Sequence, residues 1–207
     1  MISNGQHSSK KQSDSNYHHG DLRHALIRST IEALSEVDPQ DISLREVARR
    51  AGVSHAAPYG HFTDKRALLC AVANEGYKRL CDRLSSALDR TARIDSMLDV
   101  VAYEYLQFGI QNSKLYRLMF LSELSKTKDS SDAVFVDTEE IRTIFRRVLS
   151  FDGSGERQLS YHNHEAQCHE RCPPVWAYVH GYTLFAIDGL VKSEFPIGAI
   201  KQMKLCC

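Results

Sequence analysis

The sequence predicts an all-α protein, with a small N-terminal three-helix domain built around a helix-turn-helix and a larger C-terminal helical bundle. Three observations carry this. Few stretches alternate apolar and polar residues at period two, the pattern of a half-buried strand. Apolar residues instead recur three and four places apart along most of the chain. Proline is scarce, with 5 in the chain at positions 39, 58, 173, 174 and 196. All but Pro58 fall near expected helix ends or in loops.

Asp21 is placed to cap a first helix carrying Leu22, Ala25, Leu26, Ala33, Leu34 and Val37 on one face. The run Asp38-Pro39-Gln40 ends it. Ser43 followed three places on by Glu46 is a capping box, in which each side chain bonds the other's backbone N–H. Leu44, Val47, Ala48 and Ala51 form the inner stripe of this second helix. Gly52 stops it with a left-handed residue, and Val53 plugs the turn into the core. Ser54 is placed to cap a third helix over residues 55–61. A fourth begins near Thr63 or Asp64 and runs through Leu88, long enough to connect two domains. Residues 43–62 are thus two short helices around a glycine turn, packed on a first helix.

Further helices are expected over residues 96–112, 115–121 and 133–151, with a polar loop over 122–131. Residues 153–174 read as a second polar loop. Residues 175–190 are apolar nearly all round, so that segment is expected to be buried. Gly181 and Gly189 in it are candidates for close helix contact.

The chain of 207 residues can hold a small domain joined to a larger one. The expected division is a disordered arm at 1–16, a helix-turn-helix domain at 17–63 and a helical domain at 64–207. Lys+Arg and Asp+Glu are 26 each, so any nucleic-acid partner must be met by a local field, not by net charge. No apolar run approaches a membrane span, and the polar start lacks a secretory signal. A cytoplasmic protein without a membrane partner is expected. Its 6 cysteines, at 70, 81, 168, 172, 206 and 207, would then stay reduced.

The run Ser43-Leu44-Arg45-Glu46-Val47-Ala48-Arg49-Arg50-Ala51-Gly52-Val53-Ser54, then Tyr59-Gly60-His61-Phe62 and Lys65-Arg66-Ala67-Leu68-Leu69, resembles the DNA-binding domain of TetR-type regulators. Tyr17-His18-His19-Gly20-Asp21-Leu22, with the later Trp176, His180 and Gly181, resembles a subgroup whose C-terminal domain is named for that Trp, His and Gly. The resemblance implies a homodimer that binds a double-stranded operator, with an all-helical sensor and dimerisation domain. It also implies that a small-molecule effector weakens operator binding, and it implies no cofactor. Pro58 departs from the family pattern, where a Leu or similar residue is common. The few residues after Pro196 also depart from it, and put the extent of the dimer interface in question.

The resemblance places DNA contacts at Arg45, Ser54, His55, Ala56, Ala57, Tyr59, Gly60, His61 and Lys65. Tyr59 and His61 match positions that contact phosphates, and a phenol or an imidazole N–H suits a phosphate oxygen. Lys65 at a helix start adds charge where backbone N–H groups already favour a phosphate. Arg45 could take a guanine by a bidentate pair and His55 a purine edge, while Ala56 and Ala57 could touch only a thymine methyl. Solvated surface Arg and packed core Tyr are the plain alternatives for Arg45 and Tyr59.

Ligand-pocket candidates are Tyr103, Phe108, Tyr116, Met119, Phe120, Trp176 and His180. Plain core is the first alternative for each, and Trp176 and His180, one helical turn apart, are also readable as part of a dimer seam. The run His162, His164, Cys168, His169 and Cys172 offers five borderline or soft ligands for Zn²⁺ or Cu⁺, though not at a standard finger spacing. It would make metal the effector. No Gly-rich phosphate loop, nucleophile elbow or His-Glu-x-x-His element is present, so an enzyme is not expected. The expected function is a repressor released from a palindromic operator by a small molecule. A metal-responsive regulator and a degenerate relative with weakened dimerisation are its rivals.

Overall fold

The computed structural model describes residues 14–91, 97–120, 139–149 and 161–194, with side chains described from Leu22 in the first helix and from Pro174 in the last. The described residues are helical, with no strand among them. The helices are α1 (Asp14–Ala33), α2 (Leu44–Arg50), α3 (Lys65–Asp89), α4 (Met97–Gln111), α5 (Ser113–Met119), α6 (Glu139–Leu149) and α7 (Tyr161–Ile187). Two single 3₁₀ turns, Pro39–Asp41 and Ala57–Gly60, join them. The chain divides into two compact units, Met1–Val72 and Ala73–Cys207, the division falling within α3.

In the first unit α1 begins at Asp14, ahead of the expected cap at Asp21, which lies inside the helix. It also ends earlier than expected, at Ala33. Leu34 and Val37 N–H still reach back to Thr30 and Ala33 carbonyls at 3.0 Å, so the apolar stripe outlasts the helix as a turn. Leu26, Leu34, Val47, Ala48 and Leu68 are sealed from water. A Leu side chain buried this completely contributes about 1.5–3 kcal/mol. Arg23 closes one edge, its guanidinium carbon 5.3 Å from the centroid of the Phe62 ring.

Ser43 caps α2 as expected: in extended geometry it accepts the Glu46 N–H at 3.2 Å. The reciprocal half of the capping box is replaced. The Glu46 carboxylate accepts Arg49 Nε at 2.8 Å and Nη2 at 2.7 Å, and Arg50 Nε at 2.9 Å. Arg50 Nη2 goes on to Glu36 at 2.6 Å, tying α2 to the turn after α1. Two guanidiniums outcompete one distant backbone N–H, because hydrogen bonds between ionised groups are the stronger kind.

Gly52 ends α2 at φ +70°. Val53 N–H bonds the Ala48 carbonyl at 3.0 Å and Gly52 N–H the Arg49 carbonyl at 3.2 Å. This is the Schellman closure, which requires a left-handed residue at that position. Beyond it the chain forms the 3₁₀ turn Ala57–Gly60 in place of the expected α-helix over 55–61. Pro58 is the cause. It has no N–H to donate backward, and its ring opposes the carbonyl four residues earlier. The bonds are accordingly i→i−3: Ala57 to Ser54, Tyr59 to Ala56 and His61 to Pro58. The turn's cap position is Ala56, without a side-chain cap bond, so Ser54 does not serve as the expected cap. Asp64 then caps α3, its carboxylate accepting the Ala67 N–H at 2.7 Å.

In the second unit α4 packs against α5, α6 and α7, and α6 against α7. Arg83 on α3 reaches Glu104 at 2.6 Å and Gln111 at 2.8 Å on α4. Three expectations are corrected here. Residues 161–173 form the first turns of α7 rather than a loop. Their polar composition hid a helix, and Pro173-Pro174, read as its boundary, lies within it. Residues 175–190 are not buried all round: Val175, Val179 and Thr183 at four-residue spacing are buried, while Phe185 and Leu190 are exposed. Gly181 and Gly189 make no close contact, a Cβ at either meeting nothing within 4 Å. Gly189, at φ +72°, closes α7 as Gly52 closes α2. The close approach occurs at Gly109, where a Cβ would collide with Thr183 Cγ2. The expected helix over 133–151 is described only as α6; residues 121–138, holding the expected loop, lie outside the described residues.

This packing makes three substitutions informative. Gly52→Val is expected to lose about 1–3 kcal/mol, because a β-branched residue resists positive φ; unchanged urea denaturation would contradict it. Gly109→Ala is expected to lose about 1–3 kcal/mol by overpacking, and the added Thr183→Ser substitution, which deletes the opposing methyl, to restore most of it. Arg49 and Arg50 hold the Glu46 carboxyl well below its ordinary value of 4.5, at about 2. A group depressed in the folded state contributes stability above its unfolded pKa and loses it as pH falls toward the folded one. Melting temperature should therefore drop through the interval from about 4.5 to about 2, and Glu46→Gln should flatten that drop. The pairs are solvent-exposed, so the effect should also shrink in high salt.

Candidate functional site

The short elements after α1 leave several of the sequence-predicted side chains open to solvent on the first unit. Arg45, in the first turn of α2, is exposed and makes no ion pair among the described residues. Ser54, His55, Ala56, Tyr59 and Gly60 are exposed, and Ala57, His61 and Lys65 half-buried. Tyr59 keeps 57% of its surface open although it sits between two buried neighbours, Pro58 and Phe62. The turn thus anchors through Pro58 and Phe62 and turns the Tyr59 phenol outward.

The sequence placed Lys65 at a helix start facing phosphate. In the structure its ammonium donates to the Gln40 carbonyl in the first 3₁₀ turn, which satisfies one of its three protons. The charge cluster Glu36-Arg50-Glu46-Arg49 was missed. Its i,i+3 and i,i+4 arms were legible in the spacing of Glu46 to Arg49 and Arg50. The arm to Glu36, fourteen residues away, was not. In the cluster Arg49 and Arg50, two basic residues on the same helix as Arg45, are already paired with carboxylates.

The second unit holds a polar knot. Trp176 Nε1 donates to the Tyr105 hydroxyl at 3.2 Å. The hydroxyls of Tyr116 and Tyr105 meet His180 Nδ1 at 2.6 and 3.3 Å. Phe120 lies 4.1 Å from the His180 ring, centroid to centroid, and Trp176 lies 6.3 Å away. Burial lowers the His180 pKa and pushes both tyrosines far above the ordinary phenol value. Of the pocket candidates, Tyr116, Phe120, Trp176 and His180 come together here. Phe108 and Met119 are buried core, Met119 accepting the Tyr77 hydroxyl on its carbonyl at 3.1 Å. Tyr103 is 51% exposed on the far side of α4 from its buried stripe and lines no interior, which corrects its placement. Tyr105, which the sequence did not single out, is central. Its spacing to Leu98, Val101 and Ala102 marked it as core, and nothing local marked its hydroxyl as shared.

The side chains of His162, His164, Cys168, His169 and Cys172 lie outside the described residues. Among the described residues no group of three or more His, Cys, Asp or Glu could hold a metal ion. Among them also, no helix is long and apolar enough to cross a membrane.

Comparison with known proteins bears on the first unit most directly. Residues 26–72 match the model of the bacterial regulatory proteins of the tetR family. The chain is 45% identical over 51 residues to the class C tetracycline repressor protein of Escherichia coli, covering 25% of this chain and 23% of that protein. It is 38% identical over 66 residues to the HTH-type transcriptional regulator BetI of Escherichia coli, covering 32% of this chain and 34% of that protein. The matched segment therefore spans about a quarter to a third of the curated relatives. A protein of unknown function from Rhodococcus sp. RHA1 superimposes with a TM-score of 0.70 at 26% identity, covering 93% of this chain and 98% of that one. The transcriptional regulator FadR from Bacillus subtilis, solved in complex with stearoyl-CoA, superimposes with a TM-score of 0.60 at 13% identity over 88% of this chain and 95% of its own, a likeness of fold alone. Residues 26–72 of the chain thus form a segment similar to the bacterial regulatory proteins of the tetR family.

Proposed function

We propose that the protein is a DNA-binding transcriptional regulator, a repressor that leaves a palindromic operator when its second unit takes up a small molecule. The observation that carries this is the exposure of Arg45, His55, Tyr59 and Gly60 on a unit built from a capped helix and a glycine turn. That exposed surface suits a duplex. Tyr59 and His61 offer donors to phosphate oxygens, and Arg45 a fork for a guanine. Small residues at 56, 57 and 60 let the backbone approach closely.

A repressor of this design works as a homodimer. Two copies present their turns about 34–36 Å apart to successive major grooves. The exposed Phe185 and Leu190, at the end of α7, supply apolar surface for a second copy. Effector binding in the second unit shifts α3, which runs into the first unit, and spoils the spacing. By linkage, DNA and effector then weaken each other's binding by the same factor. The protein acts by binding and not by catalysis, and works in the cytoplasm.

Mobility shifts with DNA from the protein's own promoter region test this directly; no complex at low salt would refute it. Arg45→Ala is expected to cost about 1–3 kcal/mol and to relax preference at one base pair of each half-site. His61→Ala is expected to weaken all sequences alike, since a phosphate contact carries no sequence information. An unchanged affinity for His61→Ala would remove it from the phosphate contacts.

A further inference from the structure

The seven-residue helix α2 carries three arginines, and they stand in different electrostatic states. Arg45 makes no ion pair among the described residues. Arg49 lays two nitrogens on the Glu46 carboxylate, Nε on one oxygen at 2.8 Å and Nη2 on the other at 2.7 Å. The second of those oxygens also accepts Arg50 Nε at 2.9 Å, and Arg50 Nη2 runs on to Glu36 at 2.6 Å. Two carboxylates and two guanidiniums sum to zero, so the cluster adds no net charge to the helix.

Arg49 and Arg50 are held differently. Arg50 is half-buried and bridges two carboxylates. Arg49 is 66% exposed, and Glu46 is its sole partner among the described residues. Arg49 also lies four places after Arg45, so the two share a face of α2. A duplex that meets Arg45 has Arg49 next in line, one turn along the helix. An exposed ion pair between neighbouring turns is by itself weak and opens readily. This one is stiffened, because the Arg50 bridge to Glu36 already orders the carboxylate on which Arg49 closes. The Glu46 carboxyl, held at about 2 by Arg49 and Arg50, stays ionised through the neutral range. A phosphate reaching for Arg49 would approach an anion 2.7 Å from its target, and would have to displace a two-point pair.

We propose that Glu46 is an affinity-setting residue: its carboxylate withholds the Arg49 guanidinium from DNA phosphates, so that α2 meets a duplex through Arg45 alone. This rests on the DNA-binding reading of the first unit. Phosphate contacts supply the part of DNA affinity that is blind to sequence. Glu46 holds that part down and leaves Arg45, the base-reading candidate, untouched. A regulator that must leave DNA when a small molecule binds gains from this, since a lower total affinity reduces what the effector has to overcome.

Fluorescence anisotropy with the full-length protein tests it, using a labelled duplex from the protein's own promoter region and a scrambled duplex of the same length. Each is titrated across salt from about 50 to 200 mM. Arg49→Ala alone should leave affinity within about twofold and the salt slope unchanged, because that side chain is already engaged. Glu46→Gln should bind both duplexes more tightly and steepen the slope by about 0.9 per added phosphate contact. Its advantage over the wild type should therefore grow about threefold per contact between the high and low ends of that salt range. Adding Arg49→Ala to Glu46→Gln should return the slope to the wild-type value. The Ser43 cap engages the Glu46 backbone N–H, so Glu46→Gln keeps it, and urea denaturation checks the fold. Should that variant not fold, Arg49→Ala still decides: a slope lowered by about 0.9 per subunit would show Arg49 on a phosphate already and overturn the proposal. An unchanged slope in Glu46→Gln overturns it too. A steep slope kept in the double variant does the same, since the lost carboxylate would then act by its field and not through Arg49. Wild-type binding with any of these results leaves the DNA-binding reading standing. No complex of the wild type with either duplex at low salt sinks that reading and this one together.

Discussion

The backbone at Gly52 is the constraint on which the exposed turn after α2 depends. A left-handed residue there lets two carbonyls at the end of α2 find donors in Gly52 and Val53. It also sets the direction in which the chain leaves the helix. Everything after it, the turn anchored on Pro58 and Phe62 and the outward Tyr59, inherits that direction. The Ser43 cap fixes the other end of α2, and the Arg50 bridge to Glu36 holds the helix against the turn that succeeds α1. Three local devices, none a large buried surface, thus orient a seven-residue helix too short to be stable alone.

The second unit is organised differently. Its precision comes from close packing, with Gly109 laid against Thr183 and the edge of the Tyr105 ring against Tyr116 and Phe145. Within that dense interior one polar knot survives, the Trp176 N–H donating to Tyr105 and the two tyrosine hydroxyls meeting His180 Nδ1. Dense packing makes such an interior respond in discrete steps rather than by continuous give. That property suits a unit whose proposed task is to report occupancy.

Much of this was legible in the sequence because the signals were local. Ser43 with Glu46, Gly52 and the apolar stripe of α2 each act within a few residues, and the structure keeps them all except the back half of the capping box. Pro58 was visible as an anomaly, but its outcome, a 3₁₀ turn in place of an α-helix, depended on whether neighbouring bonds could re-form one residue shorter. The start of α7 was hidden because polar composition looks alike in loops and in solvent-facing helix turns. The knot around His180 was half legible: the one-turn spacing of Trp176 and His180 was plain. Tyr105, more than seventy residues earlier in the chain, carries no local mark of sharing their hydrogen bonds. The same holds for Gly109, whose need for a missing side chain is created only by Thr183 on the facing helix.

The tether from Lys65 to the Gln40 carbonyl carries a thermodynamic consequence. In the proposed complex with DNA, an ammonium already engaged by a carbonyl dipole gives up part of that attachment when a phosphate claims it. The counterions freed from the nucleic acid are the same in number either way, whereas the net gain in binding strength is reduced by the bond surrendered. At this residue, sensitivity to ionic strength and contribution to tightness are therefore separate quantities.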